Sequence, residues 1–256
     1  MKNIAVIGGE GVLGADLVEY LSPFYSVTPI TKQNYKFYIG QSFDIIVNAN
    51  GNSKRFWANE HVIEDFMLST ATVYKSLFDF KFKKYIYISS SDVYENHGRR
   101  SLSKENHLPD IKNLSPYGLH KHLSEIIVKK HAKDYLILRC SMILGKNLKK
   151  GPIYDIMHNK SLFISKESRL QMITTKEISN VTNFLVKKKK SNEIFNVGGK
   201  GTVSFNNISS FFSNPVKFSK SAEKQTYEIN VDKLNKMYNL CSSKSYLQEF
   251  LGGLQS

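Results

Sequence analysis

Only two cysteines, Cys140 and Cys241, occur in 256 residues, too few for a disulfide framework or a thiolate metal cluster. That scarcity fits a reducing compartment, and the cytoplasm is the expected location. The seven histidines show no paired ligand spacing, so no metal is expected. No apolar run reaches the roughly 18–20 residues needed to cross a bilayer, which disfavours a membrane protein. The first apolar run begins so early that a charged leader and signal segment find no room before it. No internal repeat or low-complexity linker is present. Negative charge is also scarce, with 22 acidic residues against 36 basic ones and a net charge of +14. Such an excess suits an anionic ligand such as a nucleotide diphosphate, and would also suit nucleic acid or an acidic partner. The lysines at 187–190 follow a helix-like stretch and precede a strand-like one, so they read as a solvated helix end whose cations favour the C-terminal dipole. The charge is therefore taken as a general lysine bias, and nucleic acid is disfavoured as a partner.

What is present is enough apolar material for a packed core, 41% hydrophobic with 12% aromatic residues. Short apolar runs at 4–7, 27–30, 44–49, 85–89, 135–140 and 193–197 read as strands. They alternate with helical patterns at 12–21, 64–80, 117–131 and 178–186. Nearly uniform apolar strands separated by helices predict a parallel sheet covered on both faces. The expected fold is thus α/β, a doubly wound parallel sheet of the Rossmann kind, with its ligand crevice at the carboxyl ends of the strands. Residues 1–145, with 172–199 returning, are assigned to a dinucleotide-binding domain. Residues 146–171 and 200–256 lack the alternation and are assigned to a small C-terminal substrate lobe.

Gly8, Gly11 and Gly14 stand as GxxGxxG between the first strand and the first helix. Small residues let backbone approach a pyrophosphate, and the helix start at Val12 and Leu13 points N–H groups and a positive dipole at it. A carboxylate closing the second strand would bind a ribose 2′-hydroxyl, but no Asp or Glu occurs between Glu19 and Asp44. NAD or NADP is expected, with NADP favoured through Thr31 and Lys32. Tyr117 and Lys121 lie four apart, which on a helix puts them on one face. An ammonium there favours the phenolate and should lower the tyrosine pKa, tuning it for proton exchange with a substrate hydroxyl. Roughly two such pairs arise by chance in a chain this rich in tyrosine and lysine, so position must decide. Ser89, Ser90 and Ser91 close the fourth strand at the ligand end of the sheet, where a serine can hold the reacting oxygen against Tyr117.

These residues together resemble the extended short-chain dehydrogenase/reductase family of nucleotide-sugar epimerases, dehydratases and 4-keto reductases. The likeness runs through GxxGxxG, Asn48-Ala49-Asn50-Gly51, Ile88-Ser89-Ser90-Ser91-Asp92-Val93-Tyr94, and Ser115-Pro116-Tyr117-Gly118-Leu119-His120-Lys121 with Glu125. It continues through Leu138-Arg139 to Gly145 and Ile194-Phe195-Asn196-Val197-Gly198-Gly199. The resemblance implies Tyr117 as the acid/base, Ser90 as its catalytic hydroxyl partner, and Lys121 as the tuning residue that also binds the nicotinamide ribose. It implies that backbone around Asn48, Ala49 and Asn50 lines the adenine–ribose side of the cofactor. Ser91 and Asp92 stand where the 4,6-dehydratases carry Asp-Glu, and losing the first carboxylate disfavours dehydration. The family's substrate-contacting Asn falls on Met142, and its diphosphate-gripping Arg falls beside Arg169. The short link from the second strand to Asp44 is similar to that of the 4-keto reductases. The implied activity is NAD(P)-dependent epimerisation or keto reduction of a sugar, on a nucleotide-sugar-like substrate. The helices at 64–80 and 117–131 commonly form a homodimer face in such proteins. A catalytically silent dinucleotide-binding or redox-sensing module is the alternative, disfavoured by Ser90, Tyr117 and Lys121 together. A basic RNA-associated protein on the same fold is a third, weaker one.

Overall fold

The computed structural model describes residues 1–52 and 54–254; Ser53, and Gln255 and Ser256 of the expected lobe, lie outside the described residues. In chain order the first half runs β1 (Asn3–Ile7), α1 (Val12–Leu21), β2 (Ser26–Ile30), β3 (Ser42–Asn48), α2 (Arg55–Glu60), α3 (Val62–Phe66), α4 (Thr72–Asp79), β4 (Lys81–Ser90) and α5 (Pro116–His131). Next come β5 (Tyr135–Cys140), β6 (Met142–Leu144), α6 (Pro152–Met157), β7 (Leu162–Ile164), β8 (Arg169–Leu170), β9 (Met172–Thr174), α7 (Thr175–Lys187) and β10 (Glu193–Val197). The chain ends with β11 (Val203–Ser204), β12 (Phe218–Glu223), β13 (Thr226–Tyr227), α8 (Asp232–Asn235) and α9 (Ser243–Gly252).

Six parallel strands form one sheet in the order β10-β5-β4-β3-β1-β2. The doubly wound parallel sheet expected from the sequence is present. Alternate strand residues feed its two faces. Ile4, Val6, Ile45, Val47, Ile86, Ile88, Leu136 and Leu138 pack under α1 and α7. Ala5, Ile7, Ile46, Tyr85, Tyr87 and Ile137 pack with Val73, Leu77 and Val128 of α4 and α5. Strand order reverses between β1 and β3, so the crevice of such a sheet opens there, beside the glycine turn.

A third apolar cluster joins Leu144, Ile153, Ile156, Leu162, Leu170, Met172, Val203, Phe205, Leu247 and Phe250 into a smaller body. Short pairings of β7 with β12, and of β8 with β11 and β13, tie it together. Not all of residues 200–254 belong to it. Ile229, Val231, Leu234, Leu240 and Tyr246 pack into the core of the large sheet instead, where Lys233 also lies over the Phe195 ring at 4.3 Å. This segment covers the β10 edge, a need that no hydrophobic period announces.

The helix expected over 64–80 is divided. Between α3 and α4, residues Met67–Ala71 form a π-helical turn. Its extra residue turns Ser69 and Thr70 into the interior, and Thr70 donates to His120 O of α5 at 3.0 Å.

Candidate active site

Three carboxyl-end loops meet the start of α5. That helix is well begun: Ser115 accepts the Gly118 N–H at 3.2 Å and Pro116 occupies the first turn. Asn59 of α2 accepts the Tyr117 N–H at 3.2 Å. Gly118 lets the helix lie against the loop after β4, for a β-carbon there would stand 2.2 Å from Asp92 O. That approach brings the Tyr117 side chain beside the Ser90 hydroxyl, close enough for it to favour the phenolate. Lys121, one turn on, lies over the Tyr87 ring at 5.2 Å and donates to Ile88 O at 3.4 Å. Gly51, at φ +130°, closes over it: a β-carbon there would lie 3.4 Å from the Lys121 ammonium. The structure therefore brings Ser90, Tyr117 and Lys121 together.

The expected lowering of the Tyr117 pKa is reversed. Burial is the larger effect and raises it, Lys121 and the nearby Ser90 hydroxyl pull it down, and the Asp92 charge pushes it up again. The tyrosine is thus held protonated at neutral pH, as a proton donor must be.

Asp92 anchors a network that the sequence did not announce. Ser90 donates to its Oδ2 at 2.9 Å, and Arg55 donates to its Oδ1 at 3.1 Å. Arg55 also donates to the hydroxyl of Tyr227 and to Gln225 Oε1 at 3.4 Å, reaching across to the smaller body. Burial is the largest single effect and opposes the Arg55 charge, but Asp92, Tyr227 and Tyr117 together more than offset it and raise the pKa. His97 stacks on Tyr227 at 4.2 Å and comes within 3.8 Å of Asp92. Burial lowers its pKa, so it is neutral at pH 7. Neither Arg55 nor Tyr227 lies in a recognisable motif, and Tyr227 comes from a stretch without periodicity.

The glycine turn fits a dinucleotide. Gly8 sits at φ +82° with Asn50 backbone 3.0 Å from where its β-carbon would be, and a β-carbon at Gly14 would strike Gly8 O at 2.0 Å. These two shape the turn. Gly11 is exposed and has only Gly8 O, 3.1 Å away, within reach of a β-carbon, so its outer side is open for a pyrophosphate. The start of α1 at Val12 and Leu13 carries no side-chain cap and no acidic residue, which leaves its first N–H groups for an anion. Gly9 belongs to the set as well, pressed against Pro29 with 2.8 Å available for a β-carbon.

The remaining candidates divide. The Asn48 side chain is spent within the protein, donating to Tyr85 OH at 2.7 Å and accepting Asn50 N–H at 2.9 Å, so only backbone from Asn48 to Asn50 can line a ligand. Ala49 packs against the sheet core. The Thr31 N–H is held by Asn34 Oδ1 at 2.7 Å, and Lys32 beside it is exposed. Ser91 is buried, and its carbonyl accepts the Tyr94 N–H at 3.2 Å. Met142 packs against the smaller body. Arg169 is exposed and donates to Thr202 at 3.3 Å, so it does not join the Tyr117 centre.

A dinucleotide-type sheet with a Ser–Tyr–Lys group at its carboxyl edge defines a class, and comparison with known proteins narrows it. The model of the NAD dependent epimerase/dehydratase family matches residues 4–198. The chain belongs to that family. Its fold is similar to that of a UDP-galactose 4-epimerase, at TM-score 0.81 and 17% identity over 99% of this chain and 98% of the other. It is also similar to a dTDP-4-dehydrorhamnose reductase from Bacillus anthracis in complex with NADP, at TM-score 0.79 and 18% identity over 99% of each chain. A UDP-glucuronic acid 4-epimerase from Bacillus cereus, in complex with UDP-glucuronic acid and NAD, aligns at TM-score 0.75 and 17% identity over 98% of this chain and 99% of the other.

Proposed function

We propose that this protein is a cytoplasmic NAD(P)-dependent enzyme that epimerises or reduces a sugar carbon of a nucleotide sugar, with position 4 as the reacting carbon. The observation that carries this is the meeting of Ser90, Tyr117 and Lys121 under the Gly51 loop, on the sheet edge that also holds the glycine turn. A bound nicotinamide supplies the hydride acceptor or donor. Tyr117 gives its proton to the sugar oxygen as the carbon is reduced and takes one, as the phenolate, when the carbon is oxidised, and Ser90 orients that oxygen between Tyr117 and Asp92. Among the described residues Lys121 makes one long hydrogen bond, to Ile88 O, and so keeps donors for ribose hydroxyls. Ser91 supplies no carboxylate to protonate a leaving hydroxyl, which favours epimerisation or reduction over dehydration. Exposed Lys32 favours NADP through its charge in this reading. The smaller body is the substrate lobe, and the outer faces of α3, α4 and α5 form a homodimer contact.

The test combines mass spectrometry of the nucleotide that co-purifies with a nucleotide-sugar turnover screen of wild type and Tyr117→Phe. Phenylalanine keeps the ring and removes only the proton-carrying oxygen. Cofactor affinity should persist, while turnover falls by roughly 10²–10⁴, the worth of a positioned acid/base. Turnover of the variant within a factor of two of wild type would sink the assignment. Retained NAD points to an epimerase, and an empty site filled by NADPH points to a reductase.

A further inference from the structure

Lys150 ends the loop after β6, one residue before the Gly151 that precedes α6. Its ammonium is shielded from solvent and has no hydrogen-bond partner among the described residues. The charges that face it are both positive, Lys54 and Arg55. Arg55 is matched by Asp92, but Lys54 and Lys150 carry no ion pair among the described residues. Lys54 is exposed, but the shielded Lys150 ammonium, set among cations, weakens the fold unless something supplies the missing negative charge. Burial, followed by the two neighbouring cations, draws the Lys150 pKa down to about 8. Near neutral pH the group is therefore poised to gain or lose its proton, and an anion beside it would draw the proton back.

We propose that Lys150 and Lys54 form an oxyanion subsite that takes a phosphate group of the substrate, joined to the Ser90 centre through Arg55 and Asp92. The identity of the anion as a nucleotide phosphate rests on the function proposed above. Arg169, which the resemblance placed nearest to this role, points to Thr202 instead. The subsite is thus built from loops on the two sides of the cleft, after β3 and after β6.

Calorimetry of UDP binding to the NADH-saturated protein tests this, comparing wild type, Lys150→Met and Lys150→Arg at pH 7 and pH 9. Saturating NADH keeps UDP and inorganic pyrophosphate out of the glycine turn, and uridine serves as the phosphate-free arm. Wild type should bind UDP less tightly at pH 9, where Lys150 loses its proton. Lys150→Met should weaken UDP at pH 7 by roughly ten- to a hundred-fold, the range of a desolvated charge-assisted contact. It should also remove the pH 7 to 9 difference. Lys150→Arg should retain tight binding at both pH values, because arginine does not titrate there. Without UDP, Lys150→Met should melt no lower than wild type, since it removes an unmatched buried charge. UDP affinity of Lys150→Met within two-fold of wild type overturns the subsite. So does an equal loss for uridine, or failure of wild type to bind both UDP and pyrophosphate. NADH affinity, read on the same samples, tests the oxidoreductase function separately.

Discussion

Glu125 lies wholly buried on α5, where it accepts Arg139 Nε at 2.9 Å and Nη2 at 2.6 Å, and the Ser89 hydroxyl at 2.6 Å. Arg139 in turn donates to Tyr94 OH at 2.8 Å, and Tyr94 donates to Asn196 at 2.9 Å. This network joins α5, β4, β5 and β10 beside Ser90. Burial alone would raise the Glu125 pKa, but the Arg139 charge and the hydrogen bonds from Arg139 and Ser89, with the His122 ring 3.9 Å away, hold it at about 2, against an ordinary 4.5. A depressed carboxylate contributes stability that is complete above its ordinary value and is lost as pH falls through its folded one. Acid should therefore destabilise the protein through this group between pH 4.5 and about 2. Glu125→Gln strands the Arg139 guanidinium without a counter-charge, at a cost of about 3–5 kcal/mol. Urea unfolding at pH 7 measures it, and a loss below about 1 kcal/mol would show that the pair is not structural. The sequence marked Glu125 and Arg139 only through family likeness. For Tyr117 it pointed to the residue but misjudged the sign of the pKa shift, because spacing reports the neighbouring ammonium and not the depth of burial.

At the scale of elements, α5 shows what a residue pattern can and cannot carry. Tyr117 and Lys121 mark the reactive face by helical period, while the Ser115 cap and the Pro116 first turn, one residue earlier than the expected start, were not read from the sequence. The closeness of α5 to the β4 loop was not legible, since it depends on a β-carbon missing at Gly118. Gly118→Ala would place that carbon 2.2 Å from Asp92 O, and backbone on both sides must then part. Tyr117 and Ser90 should separate, lowering kcat by roughly a hundred-fold, as displacements near an ångström can. Cofactor affinity, set mainly by the turn after β1, should hold. Steady-state kinetics beside cofactor titration checks this, and a kcat within two-fold of wild type would mean that the loop yields without harm. Strands 135–140 and 193–197 were legible to the residue. The start of β4 was missed because Lys81, Lys83 and Lys84 break its apolar run, yet Lys84 is buried and bonded to Asp134 and Lys190 O. The π turn at Met67–Ala71 was hidden because one inserted residue barely disturbs a helical count over the whole stretch.

Across the whole molecule, the face of the sheet covered by α4 and α5 presents a second, outward apolar surface. Ile63 is 73% exposed, Met67 57% and Phe78 62%, with Leu68, Tyr74 and Ile126 also open to solvent. Tyr74, Phe78 and His131 pack edge to edge at 5.2 Å, so α4 and α5 share part of this surface. Large exposed apolar patches on one chain mark contact surfaces, and a self-complementary patch closes most simply through a two-fold axis. No hydrophobic period forecasts this, because the period of α4 identifies only its inward side, Val73 and Leu77. The wild-type protein should sediment as a dimer at micromolar concentration. Ile63→Glu with Phe78→Glu would bring two carboxylates from each copy into the contact, and charges buried without partners oppose association strongly. The double variant should sediment as a monomer, while its unfolding transition stays close to that of the monomeric unit because both side chains are solvent-facing. The charge of +14 makes salt a necessary control: two basic copies repel, so dimerisation should strengthen between low and physiological ionic strength if the contact is apolar. A wild-type monomer throughout the micromolar range at physiological salt would overturn the dimer. A dimer that survives both substitutions would place the contact on another face.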